Sequence, residues 1–145
     1  MNEKMRSILE QNSLCVLATI SADKPHCSLM SYILDETRTK LFMTTLKDSR
    51  KFRNVVANPN VSILVDTRTT CQNNGEDLQA LTIWGHCSLI VEDRERLRLL
   101  EILATRHPRL QELVERPDAQ VLCIQIESIL LLDGVLEGRF EKLQP

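Results

Sequence analysis

Hydrophobic residues recur at every second position, or form short runs rich in branched side chains, in six segments separated by polar turns. These segments are residues 14–20, 26–34, 41–45, 61–66, 78–91 and 120–127. Both patterns are typical of β-strands. The turns at 21–25 and 35–40 are short, which favours antiparallel pairing of the first three strands. Residues 128–132 either continue the last strand or begin a seventh.

A different periodicity, in which hydrophobic residues return after three or four positions, marks the helical segments. It predicts a short helix at residues 2–11 and a longer one at 93–106 that begins with Asp93 as its N-cap. The buried side of the longer helix is predicted to comprise Leu97, Leu100, Leu103 and Ala104. A further helical turn is expected at residues 110–114.

Helices are few and do not alternate regularly with strands, so the pattern excludes a strict α/β fold. The prediction is a mainly β protein, a small antiparallel barrel or sandwich decorated by helices. Gly85 interrupts the fifth strand, where we expect a bend or bulge. Residues 67–77 are predicted to form an exposed loop or hairpin tip. With 145 residues and no linker or repeat, the chain is expected to be one domain, 1–145.

Charge and hydropathy narrow the range of partners. Lys and Arg number 18 and Asp and Glu number 20, a net charge of −2, and the cations are spread along the chain. This distribution argues against nucleic-acid binding. No apolar run has the length of a membrane span, and the N-terminal segment lacks the apolar core of a signal peptide. We therefore expect a soluble cytoplasmic protein with no membrane partner.

Five cysteines are present, an odd number, and they lie far apart. They are Cys15, Cys27, Cys71, Cys87 and Cys123. Most of them lie within apolar strand patterns, which favours buried thiols in a reducing compartment over a disulfide framework. No pair has the spacing of metal ligands, so no metal site is predicted.

Hydroxyl and cationic side chains cluster where the strand at 41–45 leads into a short helix. They are Thr44, Thr45, Ser49, Arg50 and Lys51. With Asp48 or Ser49 as N-cap, the free N–H groups of the helix N-terminus and two cations would favour an anion such as a phosphate. The alternative is that Ser49, Arg50 and Lys51 simply open a solvent-exposed helix.

Motifs of the common enzyme classes are missing from the sequence. There is no Ser–His–acid arrangement, no paired carboxylates and no glycine-rich phosphate loop, and four glycines are too few for a dinucleotide fingerprint. Hydrolase and kinase functions are therefore disfavoured. The catalytic residues are left unassigned.

Several local strings, in their order and spacing, resemble the pyridoxamine 5′-phosphate oxidase-like FMN-binding split-barrel superfamily. They are Val16-Leu-Ala-Thr-Ile20, Phe42-Met-Thr44, Ser49-Arg-Lys51, Asn58-Pro-Asn60 and Ile83-Trp-Gly85. The likeness covers residues 12–132. It implies a six-stranded antiparallel Greek-key split β-barrel with peripheral helices.

The resemblance also implies an obligate homodimer with FMN bound at the subunit interface. Thr44, Arg50 and Lys51 match the phosphate-binding positions of the superfamily, with Ser49 as the neighbouring hydroxyl. The second strand matches the one that borders the isoalloxazine ring. Since alternate strand residues share a face, Ser28 and Met30 are the expected contacts with the flavin.

This chain departs from the vitamin oxidases of the superfamily at their substrate site. Ile33 stands where a substrate-contacting lysine is expected, Leu132 where a tryptophan flanks the flavin, and Arg139 lacks the histidine that accompanies it. Oxidation of pyridoxamine phosphate is therefore not expected. The predicted function is FMN-dependent oxidoreduction of a small organic substrate or electron acceptor. The alternative is a non-catalytic flavin-binding or haem-binding module, such as a carrier or sensor.

Overall fold

The computed structural model describes residues 1–71, 77–134 and 137–144 and is mainly β, as predicted. Within these ranges, eight antiparallel strands form one sheet. They are β1 (Leu14–Ser21), β2 (Lys24–Ser31), β3 (Ile33–Leu34), β4 (Lys40–Leu46), β5 (Asn60–Asp66), β6 (Gln79–Leu89), β7 (Ala119–Asp133) and β8 (Glu137–Lys142). The helices are α1 (Glu3–Gln11), α2 (Arg50–Ala57), α3 (Asp93–Arg106) and α4 (Gln111–Val114), with a 3-10 turn at Pro108–Leu110 between α3 and α4.

The strand order makes the sheet curl into a barrel. It runs β2-β1-β5-β6-β7-β4-β3, with β8 added beside β7. Its two ends, β2 and β3, are separated in sequence by Tyr32 alone. One bent segment therefore supplies both edges, and the sheet must curve until they meet. β2 and β4 come into contact, yet no hydrogen-bonded ladder joins them. We call this unpaired gap between β2 and β4 the split.

Two hydrophobic clusters lie on the two faces of the sheet. The interior cluster fills the barrel and receives Met5, Ile8 and Leu9 from α1 and Phe52 and Val55 from α2. The second cluster lies outside the barrel, between one half of the sheet and the layer of α3 and α4. None of the described helices contributes a residue to a cluster on the other half of the outer surface.

Some predictions about elements are confirmed and others are wrong. The expected irregularity at Gly85 is present as a shift of the β6–β7 register between Trp84 and Gly85. The predicted strand at 26–34 is broken at Tyr32, because its first part pairs with β1 and its end with β4. β8 was not predicted, since its sequence is mostly polar. Residues 128–132 continue β7.

The predicted details of α3 also need correction. Its N-cap is Glu92, whose carboxylate accepts from the N–H groups of Arg94 and Glu95. Leu97 is 60% exposed, and Leu99 takes its place in the second cluster. Cys15, Cys87 and Cys123 are buried as expected, whereas Cys27 is exposed.

The predicted loop at 67–77 is described only in part. Residues 72–76 of the predicted loop at 67–77 lie outside the described residues. None of the helices in the described ranges has the length and apolar character needed to cross a membrane.

Candidate cofactor site

The N-terminus of α2 is formed by Ser49, which was one of the two predicted caps. Its Oγ accepts from the N–H of Phe52 at 3.2 Å, and its carbonyl accepts from the N–H of Arg53 at 3.2 Å. Within the described ranges the N–H groups of Arg50 and Lys51 have no acceptor. Two backbone donors therefore remain available at the positive end of the helix dipole.

Thr45, which is 2% exposed, adjoins this group through Ser49, whereas Thr44 does not. The hydroxyls of Thr45 and Ser49 lie 2.8 Å apart, so the end of β4 is fixed to the start of α2. Thr44 points to the other face of the sheet, where its hydroxyl donates to the carbonyl of Gln120 at 2.9 Å. Neighbouring residues of a strand face opposite ways, which is why the structure separates these two threonines.

The first two cations of α2, Arg50 and Lys51, have no carboxylate partner among the described residues. Arg50 is exposed and Lys51 is half-buried, and the ion pairs in the described part of the chain all involve other basic groups. Cations in the first turn of a helix are unfavourable unless an anion is present. Asn54 fixes the helix in place, since its Nδ2 donates to the buried hydroxyl of Thr19 at 3.0 Å.

The split connects this helix terminus with the second strand. In the β3–β4 ladder Ile33 pairs with Phe42. If the same register ran back along the chain, Ser31 would face Thr44 and Met30 would face Thr45. The split therefore leads from the N-terminus of α2 along the edge of β2. The unpaired edges on its two sides offer backbone donors and acceptors to a ligand.

The predicted contacts on β2 differ in their exposure. Ser28 is half-buried, on the same strand face as Met30. Met30 is only 6% exposed and packs in the interior cluster, so its backbone is the part that could border a ligand in the split.

Two residues beside the split were missed by the sequence analysis. Arg109 donates to the hydroxyl of Ser31 from Nη2 at 2.7 Å and from Nε at 3.3 Å. His107 holds the next residue, because its Nε2 lies 2.8 Å from the carbonyl oxygen of Tyr32. These contacts join positions more than 70 residues apart, and no sequence signal relates them.

An apolar surface adjoins the split on the outside of the barrel. The ladder registers align one row of outward side chains across six strands. The row comprises Leu29, Val16, Leu64, Thr82, Leu130 and Phe140. Leu29 is 67% and Phe140 60% exposed, and the neighbouring Trp84 is 39% exposed. We call this surface the open face.

The buried thiols are poor nucleophiles. Burial raises the pKa of Cys15 to about 12, and burial, with a smaller effect of Cys123, raises that of Cys87 to about 12. Both therefore stay protonated near neutral pH. Within the described ranges no three metal-binding side chains come together. The arrangement is thus suited to holding an anionic ligand along a strand edge, and the chemistry would come from that ligand.

Comparison with known proteins identifies relatives of the whole fold. The family model for pyridoxamine 5′-phosphate oxidase matches residues 1–133. No curated protein sequence gives a significant match. A putative pyridoxamine 5′-phosphate oxidase from Listeria innocua is 25% identical, with a TM-score of 0.72 over 90% of this chain and 96% of that one.

Other similar structures include a stress protein and a heme storage protein. General Stress Protein 26 from Bacillus anthracis is 25% identical, with a TM-score of 0.75 over 97% of both chains. HutZ, the heme storage protein from Vibrio cholerae, is 19% identical, with a TM-score of 0.74 over 90% of this chain and 92% of that one. At such low identity the likeness to HutZ concerns the fold alone.

Proposed function

The chain belongs to the pyridoxamine 5′-phosphate oxidase family, and we propose that it binds FMN and acts as an oxidoreductase on a small organic substrate or electron acceptor. One observation carries this proposal. Among the described residues, the start of α2 combines two backbone N–H groups without acceptors, the hydroxyls of Ser49 and of Thr45 beside it, and two cations without acidic partners. Such a group of donors fits a terminal phosphate.

Typical hydrogen-bond energies show how much the phosphate can contribute to the binding free energy. Hydrogen bonds to a charged group are worth roughly 1.5–3 kcal/mol each. Two or three of them supply about half of the roughly 8 kcal/mol that micromolar binding requires. The remainder must come from a larger, partly apolar body attached to the phosphate, and the flavin ring is such a body.

The split is the proposed place for that ring. It starts beside the phosphate donors, and the edges of β2 and β4 present unpaired N–H and C=O groups to the polar edge of a flavin. Ser28 and the backbone of Met30 would border the ring from β2. When bound, FMN supplies electron transfer, while the protein orients the cofactor and controls access to it.

The open face supports the proposed homodimer. Contiguous apolar surface of this kind marks interaction sites. Leu29 lies on β2, so a second copy of the chain docked on the open face would also cover the mouth of the split. The cofactor would then be held between two subunits.

The site differs from that expected of a vitamin oxidase. Ile33, at the position where the resemblance implies a substrate-contacting lysine, is 6% exposed and packs in the second cluster beneath α3. Its side chain offers no charge to a substrate phosphate. We therefore propose a substrate other than pyridoxamine phosphate.

Removing the two cations tests the phosphate assignment. We expect Arg50→Ala/Lys51→Ala to weaken FMN binding at least tenfold, about 1.4 kcal/mol. Its affinity for riboflavin, which lacks the phosphate, should stay within twofold. Arg53→Ala/Arg94→Ala removes the same charge from exposed positions of α2 and α3 and should bind FMN like the wild type. Fluorescence quenching titrations measure all three proteins.

The outcomes separate the alternatives. Equal FMN affinities in the two double variants, or an equal loss for riboflavin, would contradict a phosphate site at α2.

Reduction of bound FMN by a nicotinamide donor, followed by reoxidation with an added acceptor, would support an enzyme. FMN binding without turnover would support a carrier or sensor. Haem requires an axial ligand; Nε2 of His107 at the end of the split is engaged with Tyr32, which leaves His26 and His86 as the other histidines that could supply one. A haem absorption band with no flavin uptake would nonetheless replace the proposal.

A further inference from the structure

Arg109 occupies an unusual position for a surface cation. Its Nη2 and Nε both donate to one buried hydroxyl, that of Ser31, at 2.7 and 3.3 Å. Ser31 is only 5% exposed and is the last residue of β2. A long side chain that normally extends into solvent is therefore held against the edge of the split.

The charge of Arg109 is not neutralised by any acidic group that the structure describes. None of the ion pairs among the described residues includes it. A guanidinium has five N–H donors, of which Ser31 engages two, so three remain for a ligand. The hydroxyl of Ser31 is neutral and leaves the full positive charge at this point.

The segment that carries Arg109 is fixed from both sides. His107, two residues earlier, contacts the carbonyl oxygen of Tyr32 at 2.8 Å. Pro108 stands between them and restricts the backbone. The backbone of this segment is thus held at Tyr32 through His107, whereas the guanidinium itself is held by Ser31. A cation fixed in this way loses little conformational entropy when it binds a ligand.

Its distance from the phosphate donors matches the size of a mononucleotide. In the extrapolated register Ser31 faces Thr44, which is next to Thr45, and Thr45 contacts Ser49 at 2.8 Å. If the split kept this register, a rise of about 3.3 Å per strand residue would put Ser31 roughly 10 Å from the start of α2. A flavin whose phosphate is bound at Ser49 would therefore bring the polar edge of its ring near Arg109.

We propose that Arg109, held on Ser31, contacts the pyrimidine edge of the flavin ring and favours the reduced form of FMN over the oxidised form. This inference rests on the proposed function and adds a residue that sets the redox balance of that site. Transfer of two electrons and one proton from a reductant to oxidised FMN leaves one negative charge, shared by N1 and the C2 carbonyl oxygen. A fixed guanidinium beside those atoms stabilises the charge in the reduced form only.

The test compares the affinities for the two redox states. FMN-loaded wild type and Arg109→Gln are titrated anaerobically with dithionite in the presence of a reference dye, and the midpoint potential of bound FMN is read from the spectra. We expect the preference for reduced FMN to fall at least tenfold in Arg109→Gln, a potential lower by about 30 mV for a two-electron couple. Arg109→Lys should lie between the two.

His107→Ala is the matched control. It removes the other contact with the strand break but keeps the charge of Arg109, so its preference should stay within threefold of the wild type. An equal shift in His107→Ala and Arg109→Gln would mean that Arg109 only supports the backbone, and the inference would be wrong. So would an unchanged potential in Arg109→Gln. In both cases tight, phosphate-dependent FMN binding would leave the proposed function intact, whereas failure of the wild type to bind FMN would overturn both.

Discussion

At residue 85 the space available between β6 and β7 admits only glycine. A Cβ at Gly85 would lie 2.6 Å from the carbonyl oxygen of Gln125 and 2.9 Å from Cγ2 of Ile124. The nearer atom belongs to the backbone of the paired strand, so it cannot move aside without disturbing the ladder. The close approach coincides with the register shift, where the sheet bends.

We expect Gly85→Ala to lower the free energy of unfolding by about 1–3 kcal/mol, the usual cost of overpacking. Gly138→Ala is the control, because the nearest heavy atom to its Cβ would be 3.8 Å away. That variant should stay within about 0.5 kcal/mol of the wild type. Urea denaturation followed by circular dichroism measures both. Equal stability of the two variants would contradict the steric explanation.

Individual site residues were predictable where their signal is local. The sequence identified Ser49 as a possible cap because hydroxyl residues before a helix satisfy its first N–H groups. It grouped Thr44 with Thr45, although alternation along β4 sends the two side chains to opposite faces. Arg109 could not be found at all, because its role depends on a contact with Ser31 that only the folded chain creates.

Strands and helices with a clear hydrophobic periodicity were predicted correctly. Strand limits that depend on which neighbouring strand pairs with them were not. Hydrophobic residues continue through Tyr32 to Leu34 with no turn signal, so nothing in the sequence shows that the strand changes its partner there. Tyr32 itself is held by its hydroxyl, which donates to the carbonyl of Leu9 at 2.7 Å. β8 is mostly polar, and only its ladder with β7 makes it a strand.

The α3 helix was placed correctly, and Leu100, Leu103 and Ala104 are buried as predicted, but Leu97 is not. Leucines occupy positions 97, 99, 100 and 103, so more than one helix face is apolar and the periodicity is ambiguous. Leu99 is 2% exposed and belongs to the second cluster, whereas Leu97 is 60% exposed. Packing against the sheet, and not the sequence of the helix itself, decides which leucines are buried.

These two leucines form a matched pair for measuring that packing. We expect Leu99→Ala to cost about 2–5 kcal/mol of stability, because it leaves a cavity between α3 and the sheet. Leu97→Ala makes the same chemical change on the exposed side and should cost less than about 1 kcal/mol. Chemical denaturation of both variants gives the difference. Similar losses would mean that α3 is rotated relative to the structure described.

At the scale of the whole molecule, one half of the outer surface of the barrel is covered by α3 and α4 and the other half is the open face. The outward row from Leu29 to Phe140 crosses six strands and is about 24 Å wide at the usual strand spacing. Each strand contributes only one or two of these residues. The sequence therefore shows no long apolar run, and the surface exists only after the strands are assembled.

A second copy of the chain is the proposed cover for this surface, and a single charge should keep it away. We expect the wild type to sediment with twice the chain mass of 16.6 kDa and Leu29→Glu to sediment as a monomer. Leu29 is 67% exposed, so the substitution leaves the barrel core intact. Leu97→Glu places the same charge at a 60% exposed leucine of α3, away from the open face, and should remain dimeric.

The same variants connect assembly with binding, because the mouth of the split lies beside Leu29. If the partner subunit completes the site, monomeric Leu29→Glu should bind FMN at least tenfold more weakly than Leu97→Glu, although Arg50 and Lys51 are intact in both. Sedimentation and fluorescence titration on the same samples test this. A monomeric wild type would contradict the proposed homodimer. A monomeric Leu29→Glu that retains full FMN affinity would show that one barrel, with its own split and its own α2, is sufficient for the cofactor.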